Sequence, residues 1–285
     1  MLKIGVSSKS FPLTGEAFAE LAREGITALE LAPTAKECES MSIAKIRDMA
    51  RDSGMHICSY HLPFSPNSEL DPSSDDREIR RRTVALYCKL IRRGADAGIR
   101  RFIIHPSCEP VSTDAAIRAV RLSIARDTLA SLAEVAELSG AEIAVENLPR
   151  TCLGNTTSEL ELLVSGNEKL GVCFDTNHLL TDTNELFIER LGRKIKALHI
   201  SDYDRINERH WLPGEGVINW HGLYLSLVEQ GFDGVWLYET APNPKTIIRS
   251  RPITAHDVAE NAKAIFAGTP IPVFSHRIEG LGMWV

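Results

Sequence analysis

No two of the six cysteines stand in a C-x-x-C pair. A zinc ribbon and a dithiol redox motif are therefore excluded. Scattered as they are, Cys38, Cys58, Cys88, Cys108, Cys152 and Cys173 read mostly as small buried hydrophobes in a reducing compartment. No apolar run is long enough to span a bilayer, and the amino terminus MLKIGVSSKSFPLTG has too short an apolar core for a signal peptide. A cytoplasmic location without membrane attachment is expected. Positive charge is in deficit: 32 Lys and Arg against 38 Asp and Glu give a net charge of -6. Nonspecific nucleic-acid affinity comes from many Lys/Arg–phosphate contacts, so no nucleic-acid partner is expected. The one basic run, REIRRR at 77–82, falls on an expected outer helix and reads as a solvated face. A G-x-G-x-x-G turn is also missing after the first strand, where GVSSKS stands instead. That weighs against a doubly wound dinucleotide-binding sheet. What remains is ordinary, with 285 residues, 44% hydrophobic and 25% charged, which suits one large globular domain or two small ones.

The pattern along the chain decides between those. Short apolar runs alternate with longer amphipathic ones. Strands are expected at LKIGVSS, TALEL, HICSYHL, RFIIHP, AEIAVEN, LGVCFDT, IKALHISD and GVWLYE. The helices between and after them are EAFAELAREG, SIAKIRDMARDSG, DREIRRRTVALYCKLIRRGADAG, DAAIRAVRLSIARDTLASLAEVAELSG, TTSELELLVSG, TNELFIERLG, WHGLYLSLVEQG and AHDVAENAKAIFAG. Eight strand-then-helix units with no linker predict an α/β fold, a single (β/α)8 TIM barrel domain over residues 1–285. The tail GTPIPVFSHRIEGLGMWV has no periodicity. Its Ile271, Val273, Phe274 and Trp284 are expected to pack on the barrel or on a second subunit.

Chemistry in such barrels lies at the carboxyl ends of the strands. Reading those ends gives Glu30, His61, His105, Glu146, Asp175 with His178 beyond it, His199 and Glu239. The loop after strand 7, ERHWLPGEG, adds Glu208, Arg209, His210 and Glu215. One histidine or glutamate at a strand end is ordinarily a satisfied polar residue. Strands 3 to 8 all end this way, however, so the groups converge on one mouth. Three carboxylates there repel one another unless protons or a cation neutralise them. Mixed carboxylate and imidazole donors suit Mn, Zn, Co or Fe better than Ca or Mg. Asp175 is an expected ligand, and His178 is placed to orient a ligand, touch substrate or hold a second metal.

Taken together and in order, HLPF, IHPS, VEN, FDTNH, LHISD, RH-x3-GEG-x-I-x-W and the YE ending strand 8 resemble the xylose-isomerase-like barrel superfamily. That superfamily includes sugar-phosphate isomerases/epimerases and zinc-dependent apurinic-site endonucleases. In the sugar branch the resemblance implies one divalent metal (Mn, Zn or Co) on Glu146, Asp175, His199 and Glu239. Glu146 and Glu239 would also be the acid/base pair of an isomerase or epimerase working through an enediolate. In the endonuclease branch His61, His105, His178, Glu208 and His210 would fill the extra positions of a three-zinc site, with Glu208 replacing the family's Asp. In the sugar branch the same five would bind substrate or a second metal. A keto-inositol-type dehydratase and a non-catalytic sugar-binding protein are further alternatives. A small sugar partner is implied, and a homo-oligomer is common in that branch. Arg209 and Trp211 are expected to touch substrate. Phe64 also offers apolar surface for a sugar ring, Trp220 is expected to pack, and Arg150, Arg205, Arg209 and Lys245 lie in loops within reach of a phosphate.

Overall fold

The computed structural model describes residues 1–66 and 69–280. Eight parallel strands run in the order β7-β6-β5-β4-β3-β2-β1-β8. They are β1 (Lys3–Ser7), β2 (Ile26–Leu31), β3 (His56–His61), β4 (Arg101–Ile104), β5 (Glu142–Glu146), β6 (Leu170–Asp175), β7 (Ile195–His199) and β8 (Val235–Tyr238). The open edges meet just past β7. Ile200 N–H donates to the Leu237 carbonyl at 2.7 Å, and Glu239 N–H donates to the Ile200 carbonyl at 3.1 Å. The sheet is thus closed, and the expected (β/α)8 TIM barrel is what forms.

Outside it lie α1 (Gly15–Arg23), α2 (Ala35–Ser40), α3 (Ile43–Asp52), α4 (Arg77–Asp96), α5 (Ala115–Leu138), α6 (Thr157–Val164), α7 (Asn184–Leu191), α8 (Trp220–Glu229) and α9 (Ala255–Ala267). Each of these starts at a Thr, Ser, Asp or Asn whose side chain accepts a backbone N–H of the first turn. Such caps satisfy donors that the helix itself leaves unpaired, each contributing about 1 kcal/mol. None of these helices is long and apolar enough to cross a membrane.

Strand alternation separates two faces. On β6, Phe174 faces outward and stacks on Phe187 of α7, with ring centroids 4.4 Å apart. Cys173 faces inward, where it joins Ile103, Ala144 and Ala197 in a small buried cluster inside the barrel. Two residues further along the same four strands come His105, Glu146, Asp175 and His199. The apolar plug inside the barrel therefore forms the floor on which the polar groups stand. Four of the cysteines (38, 108, 152 and 173) are buried and Cys58 and Cys88 half-buried; all six are free. The REIRRR run opens α4, where Arg81 and Arg82 pair with Glu78 on an exposed face.

Three elements go beyond the sequence expectation. The short helix α2 sits between β2 and α3. The tail, expected to be irregular, contributes β10 (Ser275–Arg277), which pairs antiparallel with β9 (Ile247–Arg249). Ile271 and Phe274 pack against this chain's own barrel core, while Val273 is exposed. Trp284 lies outside the described residues.

Candidate active site

Strand register carries the site. Asp175 pairs with His199 across β6 and β7, and Glu146 pairs with Cys173 across β5 and β6. Glu239 follows β8 directly. As a result Glu146, Asp175, His199 and Glu239, all buried, each bring one donor atom within 4.8 Å of the others. His199 Nδ1 is the common neighbour, 3.2 Å from Glu146 Oε1, 3.0 Å from Glu239 Oε2 and 3.9 Å from Asp175 Oδ2. Its other nitrogen, Nε2, faces Glu30 at 3.1 Å. Glu30 also accepts the Ser59 hydroxyl at 2.7 Å. A carboxylate behind the imidazole fixes a proton on Nε2, so that a cation in front of Nδ1, taking the place of the proton there, would meet its lone pair and three carboxylates together.

That arrangement fits a cation. His199 Nδ1 and Asp175 Oδ2 are buried without a hydrogen-bond partner among the described residues. Buried polar atoms are rarely left so. Asp175 Oδ1, in contrast, is held by the backbone and side-chain amides of Asn177 at 2.8 and 2.9 Å. Its backbone is fixed by Asn147, which accepts the Asp175 N–H and donates to the Asp175 carbonyl, both at 2.8 Å. One oxygen is pinned and the other is left aimed at the cluster. Burial raises the Asp175 carboxyl above its usual range. Burial works the same way on Glu146 and Glu239, but His199 with His105 holds the first, and Lys9 with His199 the second, well below theirs. Burial lowers the His199 imidazole, and the Cys173 sulfur with the Glu30, Glu239 and Glu146 carboxylates raises it well above its ordinary value. Negative charge thus dominates the cluster, and a divalent cation on Glu146, Asp175, His199 and Glu239 would offset it.

The remaining expected groups surround this core. His61 Nδ1–H donates to the Leu62 carbonyl at 2.9 Å, and its Nε2 lies 3.1 Å from Glu146 Oε2. His105 Nε2 reaches the same oxygen at 3.3 Å. His178 Nδ1–H donates to the Asn147 carbonyl at 2.9 Å and turns Nε2 toward Glu208 Oε2 at 3.4 Å. His210 Nδ1–H donates to the Glu239 carbonyl at 3.1 Å. His178, Glu208 and His210 form a second group of potential ligands, and His61, His105 and Glu146 a third. Above them opens a cavity of about 210 Å³, lined by acid/base candidates together with Phe64, Leu148, Pro149 and Arg150. Arg150 and His210 both hold a left-handed backbone, φ 52° and 51°, a conformation that non-glycine residues adopt at a cost and that clusters at functional sites.

Two expectations are corrected. Arg209 and Trp211 do not line the cavity. The backbone turns at His210, φ 51°, and the side chains on either side of it are engaged away from the cavity. Arg209 is buried against Asp204, Nε to Oδ2 2.9 Å. Trp211 is buried, bridges backbone to backbone with Asp202 and donates its Nε1–H to Thr246 at 2.8 Å. Of the phosphate candidates only Arg150 reaches the cavity, and its guanidinium is bound by Glu109, Asn207 and Glu208. Trp220 packs as expected, its Nε1–H on Asp202. Glu215 is also structural, buried against Arg249.

Sequence reasoning missed Lys9, which carries no local signal, and gave Glu30 no role although it marked the end of strand 2. Asn147 and Asn177 were hidden in plain sight, inside VEN and FDTNH.

The geometry has recognisable relatives. Residues 18–256 match the sequence profile described as the xylose isomerase-like TIM barrel. An uncharacterised protein of Methanocaldococcus jannaschii is 30% identical over 201 residues, covering 68% of this chain and 67% of that one. The fructoselysine 3-epimerase of Escherichia coli O157:H7 is 33% identical over 48 residues, only 17% of this chain and 18% of that protein. The crystal structure of a D-tagatose 3-epimerase-like protein superimposes with a TM-score of 0.78 at 26% identity, covering 93% of this chain and 97% of the other. A 3-keto-D-glucoside 4-epimerase from E. coli shares the fold, TM-score 0.74 at 17% identity, over 94% and 100% of the two chains. With that profile matched over most of its length, this chain belongs to the xylose isomerase-like TIM barrel family.

Proposed function

We propose that the protein is a metal-dependent sugar isomerase/epimerase, with epimerisation beside a keto group as the favoured reaction. The supporting observation is the pair Glu146 and Glu239. Each has one oxygen beside His199 Nδ1 and a second held by other groups, His61 and His105 for Glu146 and Lys9 for Glu239. The likeness to a D-tagatose 3-epimerase-like structure at 26% identity points the same way. A divalent cation (Mn, Zn or Co) held by Glu146, Asp175, His199 and Glu239 would supply Lewis acidity to the substrate carbonyl. The chain's own residues do the rest. One glutamate removes the carbon-bound proton and the other returns one. Return to the opposite face of the same carbon is epimerisation; return to the neighbouring carbon is isomerisation. The barrel wall keeps both carboxylates buried.

The test is solvent deuterium exchange into ketoses by protein reconstituted with Mn, Co or Zn, after metal content has been measured. One metal per chain and exchange at a carbon next to the keto group are expected. Glu146→Gln and Glu239→Gln should each abolish exchange; near wild-type exchange by either would break the two-glutamate assignment.

A second reading has its own observation. His61 and His178 each tie Nδ1–H to a carbonyl and turn Nε2 toward a carboxylate, and two further three-residue groups flank the first. These would serve a three-zinc apurinic-site endonuclease. Cleavage of an abasic duplex by zinc-loaded protein, lost on chelation, would establish it. The net charge of -6 and the commitment of Arg150 to carboxylates argue against a nucleic-acid substrate.

A further inference from the structure

Lys9 stands in the turn two residues beyond β1. Its ammonium donates to Glu239 Oε1 at 2.6 Å. It also lies 5.1 Å from the centre of the Phe64 ring. That ring stacks on His105 at 4.2 Å and 14°, and His105 Nε2 reaches Glu146 Oε2 at 3.3 Å. One continuous wall therefore runs Glu146, His105, Phe64, Lys9, Glu239, from one proposed acid/base residue to the other. Lys9, Phe64 and His105 all line the cavity.

We propose that Lys9 is a catalytic residue that binds a substrate oxygen on the Glu239 side of the cavity. The proposal rests on the sugar isomerase/epimerase reading. An ammonium has three donors, and Glu239 takes one. The side chain is 39% exposed and lines the cavity, which leaves the other two donors for a ligand there. Glu239 Oε2 faces His199, which leaves Oε1 as the oxygen that handles the proton, and that is the oxygen Lys9 touches. A substrate carbon presenting its proton to Glu239 Oε1 thus brings its own oxygen, or that of the next carbon, beside Lys9. When the C–H bond breaks, the proton goes to Glu239 and the electron pair moves onto the adjacent carbonyl oxygen. A fixed cation next to that developing charge stabilises the transition state more than the ground state. The ligand class is a polyhydroxy ketone with an oxygen on the face shared by Lys9 and Glu239. Phe64 holds the ammonium in place by cation–π attraction.

The experiment compares wild type, Lys9→Met and Lys9→Ala, all reconstituted with Mn(II). Exchange of solvent deuterium into D-fructose, D-tagatose and D-psicose gives kcat and KM; elemental analysis and melting give metal content and Tm. Lys9→Met should lose about 10²-fold in kcat with metal content and Tm unchanged, and added ethylamine should restore at least tenfold in Lys9→Ala. Near wild-type kcat in Lys9→Met would overturn the assignment. So would a loss that merely follows lost metal or lowered Tm, or Lys9→Ala that ethylamine does not rescue. If wild type itself exchanges none of these ketoses, the isomerase/epimerase reading falls and Lys9 with it, an outcome distinct from failure of Lys9 alone.

Discussion

Glu30→Gln tests the ligand cluster from behind. Glu30 is fully buried on β2 and touches no proposed substrate position. It accepts the Ser59 hydroxyl at 2.7 Å and faces His199 Nε2 at 3.1 Å. Glutamine has nearly the same volume. Its amide oxygen can accept the Nε2–H, and the Ser59 hydroxyl can rotate to accept from its NH₂, so packing and hydrogen bonds survive. What goes is the negative charge that makes Nδ1 a better donor. Loss of such a partner behind a ligating histidine typically costs 10–100-fold in metal affinity, about 1.4–2.8 kcal/mol. Competition between the protein and a chelating indicator for Mn(II) or Zn(II), at one pH, should show that loss with Tm of the metal-free protein little changed. Glu30→Ala should do worse and lower Tm as well, because it leaves the Nε2–H buried and unpaired, at about 1–3 kcal/mol. If Glu30→Gln binds metal as tightly as wild type, His199 Nδ1 is not a ligand and the four-residue centre is misassigned.

Other expectations are independent of that one. In Gly216→Ala the new Cβ would lie 2.0 Å from Asp202 Oδ1 and 2.4 Å from the Tyr203 carbonyl. Asp202 cannot retreat, since it accepts from the backbone of Gly214, Val217 and Ile218 and from Trp220 Nε1; urea unfolding should show a loss of about 1–3 kcal/mol or more, and an unchanged midpoint would contradict this packing. Asp257 supports the start of α9. Burial pushes its carboxyl up, but Arg251 and the Thr254 hydroxyl and N–H hold it at about 2. A folded value below the unfolded one gives stability that is present above pH ~4 and lost as pH falls toward 2. The Tm gap between wild type and Asp257→Asn should therefore be constant near neutrality and narrow below pH 4; a gap that widens on acidification would reverse the assignment.

Most of the barrel was legible in the sequence because buried parallel strands are short apolar runs and their surrounding helices are long and amphipathic. Each run ended in a polar residue where it met the cavity, so the strand ends also marked Glu146, Asp175, His199 and Glu239 in one pass. The elements that escaped depend on partners distant in sequence. β9 and β10 are three residues each and exist only by pairing with one another, and α2 is six residues with a cap but almost no apolar stripe. Lys9 escaped for the same reason: a lysine in a turn looks solvated until Glu239 arrives from the far end of the chain. Arg209 and Trp211 failed in the opposite sense. Their neighbour His210 faces the cavity, and the sequence could not show the backbone turn at His210 or the partners, Asp204 and Thr246, that hold the residues on either side.

Barrel closure has a consequence for assembly. β1 hydrogen-bonds to β8, so the first strand made is stitched to the last. A nascent chain ending at His199 already holds Glu30, Glu146, Asp175 and His199, yet it lacks both Glu239 and the strand that closes the ring. Its carboxylates would remain solvated, with no reason to converge. Any ion that prefers the converged cluster therefore selects the finished barrel over every partial one. At a hundredfold excess over its dissociation constant it would add about 2.7 kcal/mol to global stability, making occupancy of the mouth a report on the integrity of the whole ring.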